Sequence, residues 1–340
     1  MKQTRLGKTE LMVSELGFGG IPIIPVEHKE AVSIARHCFE RGISFFDTAN
    51  MYADSERKIG EALEDVRDKV VLATKTTDRT AEGAAKHIDL SLKLLRTDHL
   101  DIYQFHNVSS EKELNMILGQ DGAYEAVEKA QKEGKIRFIG FSSHDLATAK
   151  KACQTNRFFT VQFPFNFIEH DPADELFKIA EDNDMGIIGM KPLGGGLLEK
   201  AVLCFKFLRQ FPRVVPIPGI SSIEEADELI DFYLNPQPLT DEDKQEIERL
   251  RSVIGTKFCH RCGYCMPCEQ GVNITSVMSF RSAVARGMKL DVVKFMVGPA
   301  MESAEGCTEC EECLDKCPYK LPIPELLKEN LTAYRDYINQ

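Results

Sequence analysis

The first 235 residues alternate between short apolar runs and segments with the periodicity of helices. The runs are rich in β-branched and aromatic residues, which is typical of strands buried on both faces of a parallel sheet. The clearest runs are residues 43–46, 70–74, 101–105, 135–142, 158–163, 186–192 and 213–219. With an opening strand near residues 13–20, they make about eight strand–helix units in roughly 250 residues. This rhythm predicts an α/β chain folded as a (β/α)8 barrel.

An open doubly wound sheet is the alternative fold for such a rhythm. It normally carries G-x-G-x-x-G after its first strand, with a helix following at once. The first glycine-rich segment, LGFGGIP at residues 16–22, does not have that spacing. In the favoured barrel, functional side chains lie at the carboxyl ends of the strands, so polar residues there are candidates for catalysis.

Four polar residues of different chemistry lie at or just after the ends of the apolar runs. They are Asp47, Tyr52, Lys75 and His106. Reduction of a carbonyl group by hydride leaves an alkoxide that needs a proton. A tyrosine hydroxyl, with an ordinary pKa near ~10, releases its proton more easily beside an ammonium group. Taken singly, each residue also fits a structural role, such as an ordinary ion pair between Asp47 and Lys75.

The order of motifs along residues 1–235 resembles that of the aldo-keto reductases. The motifs are FFDTANMY at 45–52, ATK at 73–75, QFH at 104–106, GFSSH at 140–144, VQFPFN at 161–166, KPLGGGLL at 191–198 and VPIPGISS at 215–222. The resemblance implies NAD(P)-dependent reduction of an aldehyde or ketone. It implies that Tyr52 is the general acid, that Lys75 tunes its acidity and that Asp47 holds Lys75. His106 would orient the carbonyl oxygen.

The same resemblance implies which residues bind the nicotinamide cofactor. Ser142, Ser143 and Gln162 would hold the carboxamide, although the family usually has asparagine at position 143. Met190 takes the place of the aromatic residue that usually packs under the nicotinamide. The glycines at 194–196 would let the backbone approach the pyrophosphate, or would form a flexible turn. The full expected set is Gly19, Gly20, Asp47, Ser142, Ser143, Gln162, Met190, Lys191, Pro192, Leu193, Gly194, Gly196, Pro218, Gly219, Ser221, Ser222 and Glu225.

The segment expected to meet the adenosine end of the cofactor is acidic. NADP-dependent relatives usually place a basic residue after the IPG turn, whereas this chain has Glu224 and Glu225. Ser221 and Ser222 could still bond a phosphate, because a helix N-terminus favours anions. The two acids would also be normal in the first turn of a helix. Both NADP and NAD are therefore expected cofactors.

Eight of the eleven cysteines lie in two runs near the C-terminus. The first run has the spacing C-x2-C-x2-C-x2-C and consists of Cys259, Cys262, Cys265 and Cys268. The second has the bacterial ferredoxin spacing C-x2-C-x2-C-x3-C-P and consists of Cys307, Cys310, Cys313 and Cys317. In two-cluster ferredoxins the fourth cysteine of each run ligates the other cluster, which predicts two [4Fe–4S] clusters here. Zinc sites with four cysteine ligands, a single cluster with a degraded second site, and disulfides in an oxidising compartment are the alternatives.

Composition and patterning predict three segments and a cytoplasmic protein. We expect a barrel over 1–238, a linking helix over 239–256 and a mainly helical ferredoxin-like domain over 257–340. The remaining cysteines, which lie in helical patterns and are expected in the core, are Cys38, Cys153 and Cys204. The net charge of −11 argues against nucleic-acid partners, and no apolar run is long enough to cross a membrane. Cysteines of cluster type suit a reducing cytoplasm.

Two classes of function are consistent with these features. The first is a reductase whose partner is a small carbonyl compound, with a redox protein as an optional second partner. The second is a nicotinamide-binding sensor or electron-transfer subunit that uses the iron–sulfur clusters. The intact set of Asp47, Tyr52, Lys75 and His106 favours the reductase, because a sensor does not need a proton donor.

Overall fold

The computed structural model describes residues 1–339. They divide into two compact units. The first unit consists of Met1–Pro192 and Lys200–Pro238, and the second consists of Leu193–Glu199 and the chain from Leu239 onward. The short segment Leu193–Glu199 therefore interrupts the first unit in sequence and belongs to the second.

The first unit is built around eight parallel strands, each paired with its neighbour in sequence. An antiparallel hairpin of β1 (Gln3–Arg5) and β2 (Met12–Ser14) precedes them. The parallel strands are β3 (Phe18–Gly19), β4 (Phe45–Asp47), β5 (Val71–Thr76), β6 (Leu100–Phe105), β7 (Ile136–Ser142), β8 (Thr160–Pro164), β9 (Gly186–Met190) and β10 (Val214–Ile217).

The sheet closes between its first and last strands. The backbone N–H of Gly17 donates to Pro216 O at 2.9 Å, and that of Gly19 donates to Pro218 O at 2.8 Å. Gly19 also pairs with Gly219 in the parallel sense. A Cβ atom on Gly19 would lie 2.8 Å from Pro218 O, so this approach requires glycine. The closure confirms the predicted (β/α)8 barrel.

Helices connect the strands and pack against the outer face of the barrel. They are α1 (His28–Glu40), α2 (Ser55–Leu63), α3 (Ala81–Leu94), α4 (Glu111–Leu118), α5 (Ala123–Lys132), α6 (Leu146–Gln154), α7 (Leu176–Asp182), α8 (Ala201–Leu208) and α9 (Ile223–Leu234). Side-chain caps begin several of them. Thr80 accepts from Gly83 N at the start of α3, and Asp145 accepts from Thr148 N at the start of α6. Each cap satisfies an N–H group that the helix itself leaves without a partner.

The barrel interior is apolar toward the first residues of the strands and polar toward their carboxyl ends. The apolar cluster consists of Leu6, Leu11, Val13, Phe45, Val71, Ala73, Ile102, Ile188, Val215 and Ile217. Because side chains alternate along a strand, the next residues on the same face are Asp47 of β4, Lys75 of β5 and Gln104 of β6. Asp47 lies beside Ala73 in the register, and Lys75 lies beside Gln104. The strand pattern therefore brings three polar side chains into one layer.

The second unit is helical. Its helices are α10 (Asp241–Ile254), α11 (Ile274–Met278), α12 (Phe280–Ala285), α13 (Leu290–Ala304), α14 (Glu312–Lys316) and α15 (Ile323–Ile338). Thr240 begins α10 in a capping box with Asp243, inside the expected linking helix over 239–256. The segment between the two cysteine runs forms α11, α12 and α13, in keeping with the mainly helical domain expected over 257–340. Gly287, with φ of +64°, lies in the break before α13.

The three cysteines outside the two runs are core residues, as predicted. Cys38 of α1, Cys153 of α6 and Cys204 of α8 are each at most 1% exposed. Burial raises the pKa of each thiol to about 12, which keeps it protonated and unreactive at neutral pH. Within residues 1–339, no helix combines the length and the apolar character needed to span a membrane.

Lys58 of α2 fixes the loop that follows β3. Its side chain is buried, and its Nζ donates to Ile23 O at 2.9 Å, Ile24 O at 3.1 Å and Val26 O at 2.9 Å. The same atom lies 3.0 Å from Asp54 Oδ1. One ammonium group therefore satisfies three backbone carbonyl oxygens that helices and strands do not reach.

Lys58→Met should lower the free energy of unfolding by roughly 3 kcal/mol, because it leaves carbonyl groups and a carboxylate without their donor. Arg57→Met is the matched control, since Arg57 is exposed and lies 3.9 Å from the same Asp54 carboxylate. The control should change stability by less than about 0.5 kcal/mol. Urea unfolding followed by circular dichroism measures both, because the chain has no tryptophan. Equal effects of the two substitutions would contradict the role of Lys58.

Candidate active site

A buried ion pair lies at the polar end of the barrel interior. Lys75 Nζ donates to Asp47 Oδ2 at 2.6 Å and to Thr48 O at 2.6 Å. Lys75 is 1% exposed and Asp47 is 2% exposed. Burial raises the pKa of Asp47 and lowers that of Lys75, and the attraction between the two groups opposes both shifts.

Tyr52 and His106 meet beside this pair. Tyr52 lies in the turn before α2, where its N–H donates to Ala49 O at 2.9 Å. Its hydroxyl oxygen is 3.5 Å from His106 Nε2, and the two rings are edge to face with centroids 5.5 Å apart. Lys75 Nζ lies 5.3 Å from the centroid of the Tyr52 ring. The structure therefore brings together the four residues that the sequence suggested for catalysis.

His106 is neutral at ordinary pH. Burial, together with the nearby charges of Lys75 and Arg79, lowers the pKa of His106 to about 3. Its Nδ1 atom is buried and has no hydrogen-bond partner in the described part of the chain. This favours the tautomer with its proton on Nε2, toward Tyr52, because a buried N–H without a partner is costly. His106 can thus donate one hydrogen bond but cannot act as a cationic acid.

Gln104 joins this site and was not predicted from the sequence. It is fully buried on β6, and its Nε2 donates to Asp47 Oδ1 at 3.2 Å and to Gln162 Oε1 at 2.9 Å. The signal that would have found it is its position in the apolar run 101–105. A buried amide on the same strand face as Ile102 needs partners inside the barrel.

The two serines expected to hold the nicotinamide carboxamide contact the loop after β6. Ser142 Oγ accepts from Asn107 N at 2.9 Å, which leaves its own proton available. Ser143 Oγ lies 2.7 Å from Val108 O, to which it donates, and it accepts from Asp145 N at 3.0 Å. Because a hydroxyl has one proton, Ser143 has none to offer to another group in this arrangement.

The glycines expected near the cofactor also have packing roles. A Cβ atom on Gly20 would lie 2.7 Å from Ser55 Oγ, and one on Gly219 would lie 2.3 Å from Pro22 Cγ. Gly19 and Pro218 form the barrel closure described above. The lack of room for a Cβ atom is therefore sufficient to explain glycine at positions 19, 20 and 219.

Residues after β9 form polar contacts across the carboxyl ends of the strands. Met190 ends the strand and packs partly against the apolar cluster. Lys191 has a φ of +55°, and its Nζ lies 2.6 Å from His144 Nε2. Its carbonyl oxygen accepts from Asn166 Nδ2 at 3.1 Å. Pro192 is the last residue of the first unit before the glycine loop.

The glycine loop that begins at Leu193 packs within the second unit. Gly194, Gly195 and Gly196 all have positive φ, at +59°, +70° and +93°. Ser282 Oγ donates to Gly195 O at 2.8 Å, and a Cβ atom on Gly195 would lie 2.6 Å from that hydroxyl oxygen. Backbone conformation and the contact with α12 therefore both require glycine here.

Glu225 occupies the start of α9. Its Oε2 accepts from Ser221 N and from Ser221 Oγ, each at 2.8 Å, while Ser222 Oγ accepts from Glu225 N at 3.1 Å. The residue thus turns back on its own loop and satisfies donors at the helix N-terminus. Donors at a helix N-terminus are also the kind of group that binds anions in other proteins.

The eight clustered cysteines form two groups of four in the second unit. One pocket is lined by Cys259, Cys262, Cys265 and Cys317. The other is lined by Cys268, Cys307, Cys310 and Cys313, with Cys265 contributing to both. Each group combines the first three cysteines of one run with the fourth of the other, which corresponds to the crossed ferredoxin pattern.

The donor chemistry of these groups fits iron–sulfur clusters. Burial raises the pKa of Cys262 to about 11 and that of Cys265 to about 12, and neighbouring thiols add repulsion. Four thiolates can therefore coexist only around a cationic centre. Among residues 1–339, no three His, Cys, Asp or Glu side chains are arranged to hold a single metal ion. A [4Fe–4S] cluster is held by four cysteines on separate iron atoms and does not require convergence on one ion.

Comparison with known proteins gives a family match for each of the two parts of the chain. Residues 15–203 match the model of the aldo/keto reductase family, and residues 258–322 match that of a 4Fe-4S dicluster domain. The chain is 28% identical to the uncharacterized oxidoreductase YqkF of Bacillus subtilis, over 60% of this chain and 68% of that protein. It is 31% identical to the uncharacterized oxidoreductase YrpG of the same species, over 58% of this chain and 68% of that protein.

A solved structure shows the same barrel. The aldo-keto reductase from Klebsiella pneumoniae in complex with NADPH superimposes with a TM-score of 0.61 at 24% identity, covering 74% of this chain and 95% of that one. The family match alone spans more than half of the residues. The chain therefore belongs to the aldo/keto reductase family, as an NAD(P)-dependent oxidoreductase that carries a C-terminal iron–sulfur domain.

Proposed function

We propose that this protein reduces an aldehyde or ketone to an alcohol at the carboxyl ends of the barrel strands. The observation that carries the proposal is the 3.5 Å approach of the Tyr52 hydroxyl to His106 Nε2 beside the buried Lys75–Asp47 pair. Two donors this close can both reach one carbonyl oxygen. The substrate is a small carbonyl compound.

Tyr52 is the proton donor in this proposal. A bound reduced nicotinamide would supply the hydride for the carbonyl carbon, which leaves negative charge on the carbonyl oxygen. The Tyr52 hydroxyl gives its proton to that oxygen, so that an O–H bond forms and a phenolate remains. The Lys75 ammonium, buried nearby, stabilises the phenolate. His106 is neutral and donates Nε2–H to the same oxygen, which stabilises its developing charge.

Asp47 acts through Lys75. A lysine with no exposed surface tends to lose its proton, because burial favours the neutral amine. The carboxylate 2.6 Å from Nζ opposes that loss and fixes the direction of the ammonium group. Gln162 would meet the nicotinamide carboxamide from β8, where an amide offers both a donor and an acceptor.

The cofactor is NADPH or NADH, and Glu225 governs the choice in this proposal. The Klebsiella pneumoniae structure with the same fold contains NADPH, which supports NADP chemistry. Against it, Glu225 uses the Ser221 donors. A 2′-phosphate that bound at this loop would therefore meet a negative charge. Like charges at such a distance weaken binding unless a base offsets them.

The two groups of four cysteines would hold two [4Fe–4S] clusters. A hydride carries two electrons whereas a cluster exchanges one, so direct transfer between the cofactor and the clusters would need a mediator. The clusters would then have a structural role, or would serve a redox protein partner in the reducing cytoplasm. Metal–thiolate bonds can supply stability that a small helical core lacks.

Tyr52→Phe should lower kcat with a generic aldehyde by at least about a hundredfold while NADPH or NADH binding survives, because only the proton donor is removed. Tyr124→Phe is the control, since the Tyr124 hydroxyl contacts Arg157 O away from the site. Steady-state kinetics and fluorescence titration of the cofactor provide the measurements. Activity of the Tyr52 variant within about tenfold of wild type would show that Tyr52 is not the general acid.

Glu225→Arg should raise the affinity for NADPH relative to NADH by about tenfold or more, since a repulsive charge becomes an attractive one. Glu224→Arg is the matched control, because it makes the same charge change one residue earlier on an exposed position of the same helix. Dissociation constants for both cofactors measure the shift. Similar changes in the two variants would mean that general charge, and not the contact with Ser221, decides the preference.

Anaerobically prepared protein should contain about eight iron atoms per chain, as two four-iron clusters require. Cys262→Ser and Cys310→Ser should each lower that number by about half, because each removes a ligand of a different group. Cys153→Ala, which alters a core cysteine outside the two groups, should leave the iron content unchanged. Iron and sulfide analysis checks all three variants. Zinc without iron in the purified protein would contradict the assignment.

A further inference from the structure

Gln104 connects the proposed proton donor system to the proposed nicotinamide site. It lies on β6 beside Lys75 of β5 and Gly140 of β7 in the strand register. Its Nε2 reaches Asp47 Oδ1 on one side and Gln162 Oε1 on the other. It is 0% exposed, so these contacts are not shared with solvent.

The chemistry of the partners fixes which way both amides point. The Asp47 carboxylate can only accept, so the atom that Gln104 presents to it must be nitrogen. The second proton of that nitrogen then faces Gln162, which must present its oxygen. In the described chain the Oε1 atom of Gln104 has no hydrogen-bond partner, in keeping with this orientation. The Gln162 nitrogen is then the donor of that side chain, and it hydrogen-bonds the same Asp47 carboxylate.

The Asp47 carboxylate accepts hydrogen bonds from side chains on three other strands, Lys75, Gln104 and Gln162. Its Oδ2 accepts from Lys75 Nζ, and its Oδ1 accepts from Gln104 Nε2. Without the second bond the carboxylate could rotate about its own axis, and the direction of the ammonium group would be less defined. A carboxylate that is buried this deeply stays ionised only if all of its hydrogen-bond donors are in place.

We propose that Gln104 is a positioning residue of this reductase site. It orients the Asp47 carboxylate that holds Lys75, and it fixes the side chain of Gln162, the residue expected to meet the nicotinamide carboxamide. The inference rests on the proposed function for the roles of Lys75 and Gln162. It adds that one buried amide sets the geometry of the proton donor system and of the cofactor contact together.

The first test replaces the amide without adding charge. Gln104→Met should raise the dissociation constant for NADH or NADPH by about tenfold, the equivalent of about 1.4 kcal/mol, because Gln162 loses its fixed orientation. It should also lower kcat by several fold. Tyr103→Phe is the control, since this neighbour on the same strand is equally buried and lies on the opposite face of the strand. The control should leave both quantities within about twofold.

A double substitution separates positioning from simple loss of stability. If Gln104 acts on the cofactor through Gln162, Gln104→Met should add little to the dissociation constant in a Gln162→Leu background. A merely structural role predicts independent, additive losses. Cofactor fluorescence titration reports on folded protein directly, so partial unfolding of a variant does not mask the answer.

Gln104→Glu should give the activity a pH dependence that the wild-type protein lacks. When protonated, the introduced carboxyl group can still donate to Asp47, whereas its ionised form repels it. The titratable and charged groups around it are Asp47, Lys75 and His106, and the partner on β8 is Gln162. Activity of this variant relative to wild type should therefore fall as pH rises, and Gln104→Met should show no such trend.

The outcomes distinguish this inference from the proposed function. Loss of activity in Tyr52→Phe with unchanged cofactor binding and kcat in Gln104→Met would overturn the role of Gln104 alone. Activity in Tyr52→Phe close to wild type would overturn the proposed function, whatever Gln104 does. Additive effects in the double variant would show that Gln104 does not act through Gln162.

Discussion

The site depends on keeping a charged lysine inside the barrel. Lys75 has almost no exposed surface, and burial of an ammonium group costs several kcal/mol unless partners replace water. Asp47 and the carbonyl oxygen of Thr48 provide that replacement at 2.6 Å each. The carboxylate in turn needs its own donors, which places Gln104 in the same layer. A single buried charge thus dictates the polar residues on three consecutive strands.

Much of this arrangement could be predicted because it follows from periodicity and strand ends. Apolar runs located all eight barrel strands to within a few residues, and the polar residues after them were the ones that meet in the structure. Gln104 was not predicted because a single polar residue inside an apolar run does not by itself indicate a role in the site. The bonds of Ser143 and Glu225 to their own loops were also not predictable, because spacing does not reveal which way a side chain turns.

The C-terminal unit illustrates a different kind of predictability. In two-cluster ferredoxins the fourth cysteine of each run ligates the other cluster, and that rule predicted which four thiols would group together. The boundaries of the helices around these cysteines were harder to predict from the sequence. The segment between the two runs reads as one helical stretch but forms α11, α12 and α13, since local breaks such as the positive φ of Gly287 depend on packing.

The glycine loop from Leu193 to Glu199 has a consequence for how separable the two units are. It leaves the barrel after β9 and returns before α8, yet its hydrogen bond to Ser282 and its close packing belong to the other unit. A shortened chain that ended before residue 239 would keep every strand but would remove the neighbours that hold this loop. A loop that lies between two barrel elements in sequence therefore has its packing partners after residue 239. The two units are thus interleaved in sequence, so the first cannot be taken as one continuous segment without including part of the second.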